Sequence, residues 1–538
     1  MKIRATQAIM ECLLEQGVDT IFGYPGGTIL NVYDELYRYQ DKIRHILTAH
    51  EQGAAHAADG YARSTGRVGV CFATSGPGAT NLTTGIATAY MDSSPVVFLT
   101  CNVTESTLGK DAFQEVDITG IAMPITKATY LVRDPNDIPD IIREAFAVAA
   151  MGRPGPVLID LLKNVTGLDV MIDYEPLPKE EHQFHGRLAD LRKRAGWDLT
   201  PPAPNADDVD KLVELIAHAE KPMLICGGGF PGAHPLTTGM LGMHGSRSSN
   251  MACDNCDLLV AVGCRFSDRV ATEPATFAKQ AKIVHIDIDR AEIDKNVKTY
   301  HHIIGDAKQV LQLVNERIPA YQHPAWKEFV FSHRPPAPEE DGPLTPYQII
   351  RTLRELCPKD SIVATDVGQH QMWSIQHFHF DYPGQLITSG GFGTMGFGLG
   401  AAMGAKLGNP DKTVLHMTGD GCFRMNGQEL ATISHYDIPI LTVIFNNHTL
   451  GMVHQWQNLL YGGRFSQTDL NFAPDFVKLA EAYGIRGSRV TTRAELAAAV
   501  RTALEQGRAY VIECIIDTDE TVRPMVSAGK PITDFLLD

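Results

Sequence analysis

At 538 residues the chain is too long for one hydrophobic core, and three domains of about 150 to 190 residues each are expected. A formal net charge of −16, with 44% hydrophobic and 20% charged residues, fits a globular protein and argues against nucleic acid or an anionic membrane as partner. No apolar run approaches the length of a bilayer span, and residues 1–18 read as an amphipathic helix without the apolar stretch of a signal peptide, so a cytoplasmic location is expected. Ten cysteines, mostly inside apolar runs such as those holding Cys71, Cys226, Cys264 and Cys514, suit small buried hydrophobes in a reducing compartment. Cys253 and Cys256 form a CxxC pair, but no second pair or His cluster stands at zinc spacing.

In chain order, the first segment alternates helix-like and strand-like runs: a helix over 6–15, a strand at 20–22 followed by Gly23-Tyr24-Pro25-Gly26-Gly27, a helix through 54–62, and strands at 68–73, 95–100 and 156–160. That order predicts a doubly wound α/β domain over residues 1–165. The stretch 74–81, TSGPGATN, reads as a strand-to-helix turn whose glycines free backbone N–H groups. A polar, proline-bearing joint from about Val165 to Pro204 leads to a second α/β domain, residues 205–332, with strands at 223–226, 258–263 and 283–287. A further proline-rich joint at 334–338 precedes the third domain, residues 345–538, which shares with the first a helix-then-glycine-loop layout.

The third domain carries the strongest chemical signal. A strand-like run at 413–417 breaks into Gly419-Asp420-Gly421, a helix-like segment follows, and a second strand at 440–445 ends in Asn446-Asn447. In an open parallel sheet the carboxyl ends of the strands line the ligand crevice, and glycines let the backbone approach a phosphate. Asp420, Asn447 and a carbonyl just past Asn447 would supply hard oxygen ligands, leaving positions for diphosphate oxygens and water around an octahedral Mg2+. Alone, Gly-Asp-Gly is a common turn and Asn-Asn a common loop opener. Here 24 residues, one helix plus one strand, separate them and both stand at strand ends. This pattern resembles the thiamin diphosphate signature.

Such a cofactor must be held at both ends, and the pyrimidine end calls for a carboxylic acid elsewhere. Glu51, in His50-Glu51-Gln52-Gly53-Ala54-Ala55, is the candidate: a glutamate opening a helix is usually solvated, but the small apolar residues after it place this one in a packed site. Burial disfavours the ionised form of a carboxyl, so Glu51 could share a proton with ring nitrogen N1' and drive the 4'-amino group towards the imine that takes the thiazolium C2 proton. Gly390–Gly396, GGFGTMG, offers a glycine carbonyl for the 4'-amino group and Met395 as a wedge beneath the bent cofactor; the plainer reading is a glycine-rich strand end with Met395 in the core.

FGYPGG (22–27), RHILTAHEQGAAHAADGYAR, TSGPGATNL, DAFQE (111–115), GRPGPVLID, LGMHG (241–245), TDVGQHQMW (365–373) and GMVHQWQ (451–457) make the chain, from about Ala5 to Gly529, resemble the large catalytic subunits of the acetolactate synthase (acetohydroxyacid synthase) family. The resemblance implies three thiamin diphosphate enzyme domains, termed pyrimidine, central and diphosphate. It implies an enzyme in which pyruvate loses CO2 and is joined to a second 2-oxo acid, pyruvate or 2-oxobutanoate, giving 2-acetolactate or 2-aceto-2-hydroxybutanoate for branched-chain amino acid biosynthesis. By resemblance Glu51 is the catalytic glutamate, Phe113, Gln114 and Lys127 surround the substrate, and Trp456 sets specificity. Asp420, Asn447 and the Thr449 carbonyl become the Mg2+ ligands. Gly26, Gly27, Gly76, Gln369, His370, Gly393, Met395, Gly419, Gly421, Cys422 and Met452 become thiamin diphosphate contacts, and Gly228, Met243, His244, Arg265 and Asp287 contacts of a non-redox FAD. Because Glu51 of one subunit meets the diphosphate site of another in that family, a homodimer or homotetramer is implied, and a small regulatory subunit is usual.

The chain departs from the family pattern at Cys101-Asn102-Val103, at Thr104 and Glu105, at Leu162, Gly400 and His454. It also lacks a helix and a strand after Cys226-Gly227-Gly228-Gly229, which shortens the central domain and should leave FAD poorly enclosed. Two other readings are another thiamin-dependent 2-oxo acid decarboxylase or oxidase, against which DAFQE and QWQ argue, and a non-catalytic paralogue with a damaged central domain.

Overall fold

The computed structural model describes residues 1–177, 202–227, 234–335, 342–472 and 474–537. Gly228, the junction from Gly229 to Gly232 and parts of both proline-rich joints lie outside the described residues. The first part of the chain contributes β1 (Lys2–Arg4), β2 (Thr20–Tyr24), β3 (Arg44–Leu47), β4 (Gly69–Ala73), β5 (Val96–Asn102), β6 (Ala128–Val132), β7 (Val157–Leu162) and β8 (Met171–Asp173). Six of these form a parallel sheet in the order β3-β2-β4-β5-β7-β6, while β1 and β8 pair antiparallel beside it. The amphipathic helix expected over residues 1–18 is therefore strand β1 followed by a helix over Ala5–Glu15. The extended start is held by Arg4, whose guanidinium donates at 2.9 and 3.1 Å to the buried Glu35 carboxylate, and the helix gives way to Gly17 at φ +73°.

The central part supplies β9 (Pro222–Cys226), β10 (Leu258–Val262), β11 (Lys282–Asp287) and β12 (His301–Ile304), a parallel sheet in the order β12-β11-β10-β9. The last part supplies β13 (Ile362–Thr365), β14 (Leu386–Thr388), β15 (Val414–Gly419), β16 (Ile440–Asn446), β17 (Arg486–Val490), β18 (Tyr510–Ile515) and a small antiparallel pair, β19 (Met525–Val526) with β20 (Phe535–Leu537). Its main sheet, all parallel, runs β14-β13-β15-β16-β18-β17. Counted within each part, this is the same strand order as in the first sheet. The expected α/β class with three parallel sheets is what the chain adopts. In both six-stranded sheets the order reverses between the first and third strands, the crevice where open α/β sheets bind ligands. Besides the short β1–β8 pair, the strands missed in the first two parts, β3, β6 and β12, lie at sheet edges, where half-solvated faces admit residues such as Arg44, Thr129 and His302 that do not read as a buried run.

The first and third sheets are bound by one seam. The Glu51–Thr65 helix lies against the Phe397–Gly408 helix, and one buried cluster runs from Phe22 and Ile46 through Ala54, Ala57 and Ala58 to Leu399, Ala401, Ala402 and Phe423. Contact is so close that a Cβ on Gly60 would stand 2.1 Å from the Ala401 carbonyl oxygen, and one on Gly404 1.8 Å from that of Ala57. Gly404→Ala is accordingly expected to cost about 1–3 kcal/mol by overpacking, read as a lowered melting temperature of the purified protein; an unchanged melting temperature would mean that the helices part without penalty.

Candidate active site

Site residues from the two duplicated sheets stand at equivalent strand ends. In the third part, β13 runs into Gly368-Gln369-His370, β15 into Asp420, and β16 into Asn447. Gly419 and Phe445 are the last paired residues of β15 and β16, so Asp420 and Asn447 leave neighbouring strands side by side. Asp420 opens the Asp420–Asn426 helix, and its Oδ1 accepts from the Gly421 N–H at 3.0 Å. Its Oδ2 is buried with no hydrogen-bond partner among the described residues, and burial pushes the carboxyl up to about 7. A bound divalent cation would relieve both conditions.

The neighbouring amides are fixed in orientation. Gln369 Oε1 accepts from Asn447 Nδ2 at 3.1 Å, and Gln369 Nε2 donates to Gln455 Oε1 at 2.9 Å and to the Glu520 carbonyl at 2.8 Å. Gln455 Nε2 in turn donates to the Val522 carbonyl, and its Oε1 accepts from the Val522 N–H. This chain commits the nitrogen of Asn447 to Gln369 and leaves its Oδ1 able to serve a ligand, engaged among the described residues by a long 3.4 Å contact from the Thr449 N–H. Among the described residues no group of three His, Cys, Asp or Glu side chains converges as a metal site. Cation binding here would thus rest on one carboxylate, the Asn447 amide, the Thr449 carbonyl and ligand oxygens, the mix that suits Mg2+.

Space for a phosphate is built by close approach. A Cβ on Gly419 would stand 2.9 Å from His370 Nδ1, and one on Gly421 2.6 Å from Leu450. Burial pushes His370 down to about 4, so the ring is neutral at pH 7, and its Nε2 is buried without a hydrogen-bond partner among the described residues. Cys422 donates its thiol to the Val367 carbonyl at 3.1 Å, a structural contact. In the Gly390–Gly396 loop, Gly393 has φ +73° and an exposed, open face, while half-buried Met395 reaches within 3.8 Å of the Cβ position of Gly421. The loop and the Gly-Asp-Gly turn therefore share one site.

The other half assembles around Glu51. It is the first residue of its helix and buried, and the preceding His50 caps the helix by accepting from the Gln52 N–H. Asn81 donates to Glu51 Oε2 at 2.9 Å, while Oε1 lies 3.2 Å from the Cβ position of Gly78. Gly76, at φ +58°, abuts Gln114, whose own φ is +62°, and Gly26 abuts Thr74, so the Gly26-Gly27 turn, the 74–78 loop and Gln114 meet near the glutamate. Phe113 is 87% exposed in the single chain. Lys127 stands apart from this group: its amine donates to the Met151 carbonyl at 2.6 Å, and burial pushes it down to about 8. Glu51's hydrogen bond stays within its own half, and among the described residues none joins it to Asp420 or Asn447 of the same chain.

Met243, His244, Arg265 and Asp287, with Gly227, line one open cleft of about 3810 Å³ that also takes in Gly393, Met452 and Trp456. Trp456 is therefore a half-buried cleft wall and not a core residue. β9 forms the cleft's unpaired sheet edge among the described residues, with Leu224 48% exposed. The sequence departures are accommodated locally. Asn102 donates to Asp160 Oδ2 at 2.8 Å and to the Val116 carbonyl at 2.9 Å, a Cβ on Gly400 would stand 2.8 Å from His56 Cβ, and His454 stacks on Phe465 with ring centroids 4.0 Å apart. Cys253 and Cys256 are buried free thiols. Sequence reading missed Asn81 and Gln455; both lie inside quoted blocks, TSGPGATNL and GMVHQWQ, but an uncharged amide carries no signal until its partner is seen.

Three family profiles match the chain: the thiamine pyrophosphate enzyme N-terminal TPP binding domain over residues 3–121, the central domain over 228–314, and the C-terminal TPP binding domain over 366–514. The chain is 43% identical over 577 positions to a probable acetolactate synthase large subunit of Methanocaldococcus jannaschii, covering 99% of this chain and 95% of that protein. It is 42% identical to the acetolactate synthase of Arthrospira platensis (99% and 98% covered) and 42% to the acetolactate synthase large subunit of Corynebacterium glutamicum (99% and 90%). An alignment of 577 positions exceeds the 538-residue chain by 39, so at least 39 positions carry no residue here, in keeping with a shortened central part.

If Asp420 is the charged ligand, Asp420→Ala should weaken thiamine pyrophosphate binding at millimolar Mg2+ by more than the roughly 10–100-fold typical of residues one shell out. Calorimetric titration measures it, and wild-type affinity in the variant would remove the cation site.

Proposed function

The chain belongs to the acetolactate synthase large-subunit family of thiamine pyrophosphate enzymes, and from that premise we infer that it joins two 2-oxo acids with loss of CO2, making 2-acetolactate from two pyruvates. With 2-oxobutanoate as acceptor the product is 2-aceto-2-hydroxybutanoate, and both products feed branched-chain amino acid synthesis. The observation that carries this reading is a pair of buried acids that each open a helix after a strand: Asp420, with an oxygen unpartnered among the described residues, and Glu51, with one oxygen held by Asn81. Thiamine pyrophosphate, when bound, supplies a carbon nucleophile that adds to the keto group and accepts the electrons released with CO2. Asp420, Asn447 and the Thr449 carbonyl would hold Mg2+, with His370 and the Gly419–Gly421 turn at the diphosphate and Gly393 and Met395 at the pyrimidine. Glu51 would hold and release a proton at Oε1, the oxygen that Asn81 leaves free, and Asn81 keeps that oxygen aimed. Gln114, Phe113 and Lys127 would border the acceptor from the same half as Glu51.

A second copy would complete each site. Exposed Phe392, Met425, Tyr461, Phe465 and Phe472 lie on the segments that carry the cation ligands and their neighbouring loops, an apolar surface that suits a subunit interface, and Glu51 makes no hydrogen bond to that half within its own chain among the described residues. The reading is therefore of a homodimer or a dimer of dimers, with a small regulatory subunit as a further partner. No described helix is long and apolar enough to cross a membrane.

FAD finds contact residues without a cover. His244 Nδ1 is buried and unpartnered among the described residues, and Met243, Arg265 and Asp287 line the same cleft, but that cleft is several times the roughly 300–1,000 Å³ of an enclosing ligand site and is open along β9 among the described residues. FAD should therefore dissociate during gel filtration; stoichiometric yellow protein after that step would show that the cleft closes on it.

Incubation with thiamine pyrophosphate, Mg2+ and pyruvate should yield acetoin after acid treatment. Acetaldehyde would instead mark a simple decarboxylase, and absence of CO2 an inert paralogue. In the same assay with mixed acceptors, Trp456→Leu should erase most of any preference for 2-oxobutanoate over pyruvate, because one methylene against an apolar wall is worth roughly 1–3 kcal/mol. An unchanged product ratio at full activity would remove Trp456 from the acceptor pocket.

A further inference from the structure

The Thr83–Met91 helix of the first part ends against the Gly390–Gly396 loop of the third, and two of its residues one turn apart hold that loop on either side of Gly393. Asp92, the helix C-cap, accepts from the Gly391 N–H through Oδ1 at 2.7 Å. Four residues earlier and on the same helix face, Thr88 meets Thr394 hydroxyl to hydroxyl at 2.7 Å, both residues buried. Thr88 already gives its proton to the Thr84 carbonyl at 2.8 Å, so Thr394 is the donor of this bond. Thr394 also donates its N–H to Ser389 Oγ at 3.0 Å, which closes the loop on itself.

The remaining contacts fix Asp92 itself. Arg63 approaches Asp92 Oδ2 at 3.4 Å and donates to the Thr388 carbonyl at the end of β14 at 2.7 Å. From the central part, Arg265 donates to the Met91 carbonyl, and its Nη2 lies 2.7 Å from the Cβ position of Gly391. A loop this rich in glycine loses much conformational entropy on ordering, and any of that loss not met before a ligand arrives is subtracted from binding. Held at Gly391 and Thr394, Gly393 keeps its left-handed backbone and its open face without help from a ligand.

We propose that Thr88 and Asp92 are positioning residues that preorganise the Gly391–Thr394 loop for the thiamine pyrimidine, so that the first part of each chain shapes the cofactor site on its own third part while presenting Glu51 elsewhere. This rests on the reading of Gly393 and Met395 as pyrimidine contacts. The test uses full-length Thr88→Val and Asp92→Ala, the conservative Thr88→Ser and Asp92→Asn, and Met395→Ala as a control on the loop itself. Thiamine pyrophosphate is titrated calorimetrically at saturating Mg2+, and exchange of its C2 proton is followed by NMR without any 2-oxo acid. Thr88→Val and Asp92→Ala should each bind about tenfold more weakly, the scale of one net hydrogen bond, with slower exchange. The Ser and Asn variants, which keep an acceptor oxygen, should stay near wild type. Wild-type binding and exchange in Thr88→Val and Asp92→Ala, with Met395→Ala weakened, would overturn the clamp alone. Wild-type behaviour of Met395→Ala would overturn the pyrimidine reading and the clamp with it. Equal losses in conservative and non-conservative variants, together with a lowered melting temperature, would reduce these contacts to fold maintenance and overturn the proposal.

Discussion

Everything at the site depends on how closely two helices can approach. The Glu51–Thr65 helix carries the glutamate at its first residue, and it reaches the Phe397–Gly408 helix only because glycine and alanine line both surfaces. The seam is pinned at its end by Glu429, whose buried carboxylate accepts from the Ala49 N–H at 3.1 Å, the His50 N–H at 3.0 Å and the Thr432 hydroxyl at 2.7 Å. Burial raises the Glu429 pKa, and these three donors oppose that shift. A Cβ on Gly53 would lie 2.1 Å from Glu429 Oε1, so even the residue two places after the glutamate must be glycine for the acid to dock. The third part of the chain thus sets the backbone position from which Glu51 projects, although no hydrogen bond joins Glu51 to the cation ligands of that chain among the described residues.

The two acids stand after non-equivalent strands, Glu51 after β3 and Asp420 after β15, and local environment explains why they differ. Both open a helix, where the dipole favours a negative charge by about 0.3–1 kcal/mol at exposed sites. For Asp420 that is the smaller effect: displacement from an ordinary aspartate value to about 7 corresponds to about 4 kcal/mol against ionisation. Burial therefore outweighs the dipole, and a bound cation would favour the ionised carboxylate. Glu51 differs in having Oε2 held by the Asn81 amide, a neutral donor that orients the group without committing it to a cation.

The fold class and the site residues on strand ends were legible because they follow from local rules. Apolar runs of strand length marked β4, β5, β7, β15 and β16, and the glycines beside Asp420 marked a turn. What sequence could not display were relations between distant segments. Glu429 reads as an ordinary helical acid until Ala49 and His50 are brought to it from some 380 positions away. Gln455 gains its meaning from Gln369 and Val522. The buried His416, whose Nε2 lies 2.9 Å from Asp366 Oδ2 while Asp366 Oδ1 accepts from the Gly398 N–H, looks in sequence like an oddity within an apolar strand. Edge strands such as β3 and β12 were missed for the converse reason: half-solvated, they lack the apolar run that defines a buried strand.

The central part is docked to both other parts of the chain. Arg153 of the first part pairs with Glu292 at 2.7 Å, and Arg265 reaches the Met91 carbonyl. The C-terminal segment threads along the opposite side, where Asn250 donates to the Ile532 carbonyl at 2.7 Å, Thr272 to the Lys530 carbonyl at 2.7 Å, and the Val526 N–H to the Met243 carbonyl at 2.8 Å. These contacts spread from the segment between β9 and β10, which holds Met243 and Asn250, to the segments after β10 and β11. Enclosure of the cleft and preorganisation of the Gly391–Thr394 loop rest on different contacts: the loop is held by Thr88 and Asp92 of the first part. Arg265 belongs to both: it lines the open cleft, and its guanidinium donates to the Met91 carbonyl beside the loop.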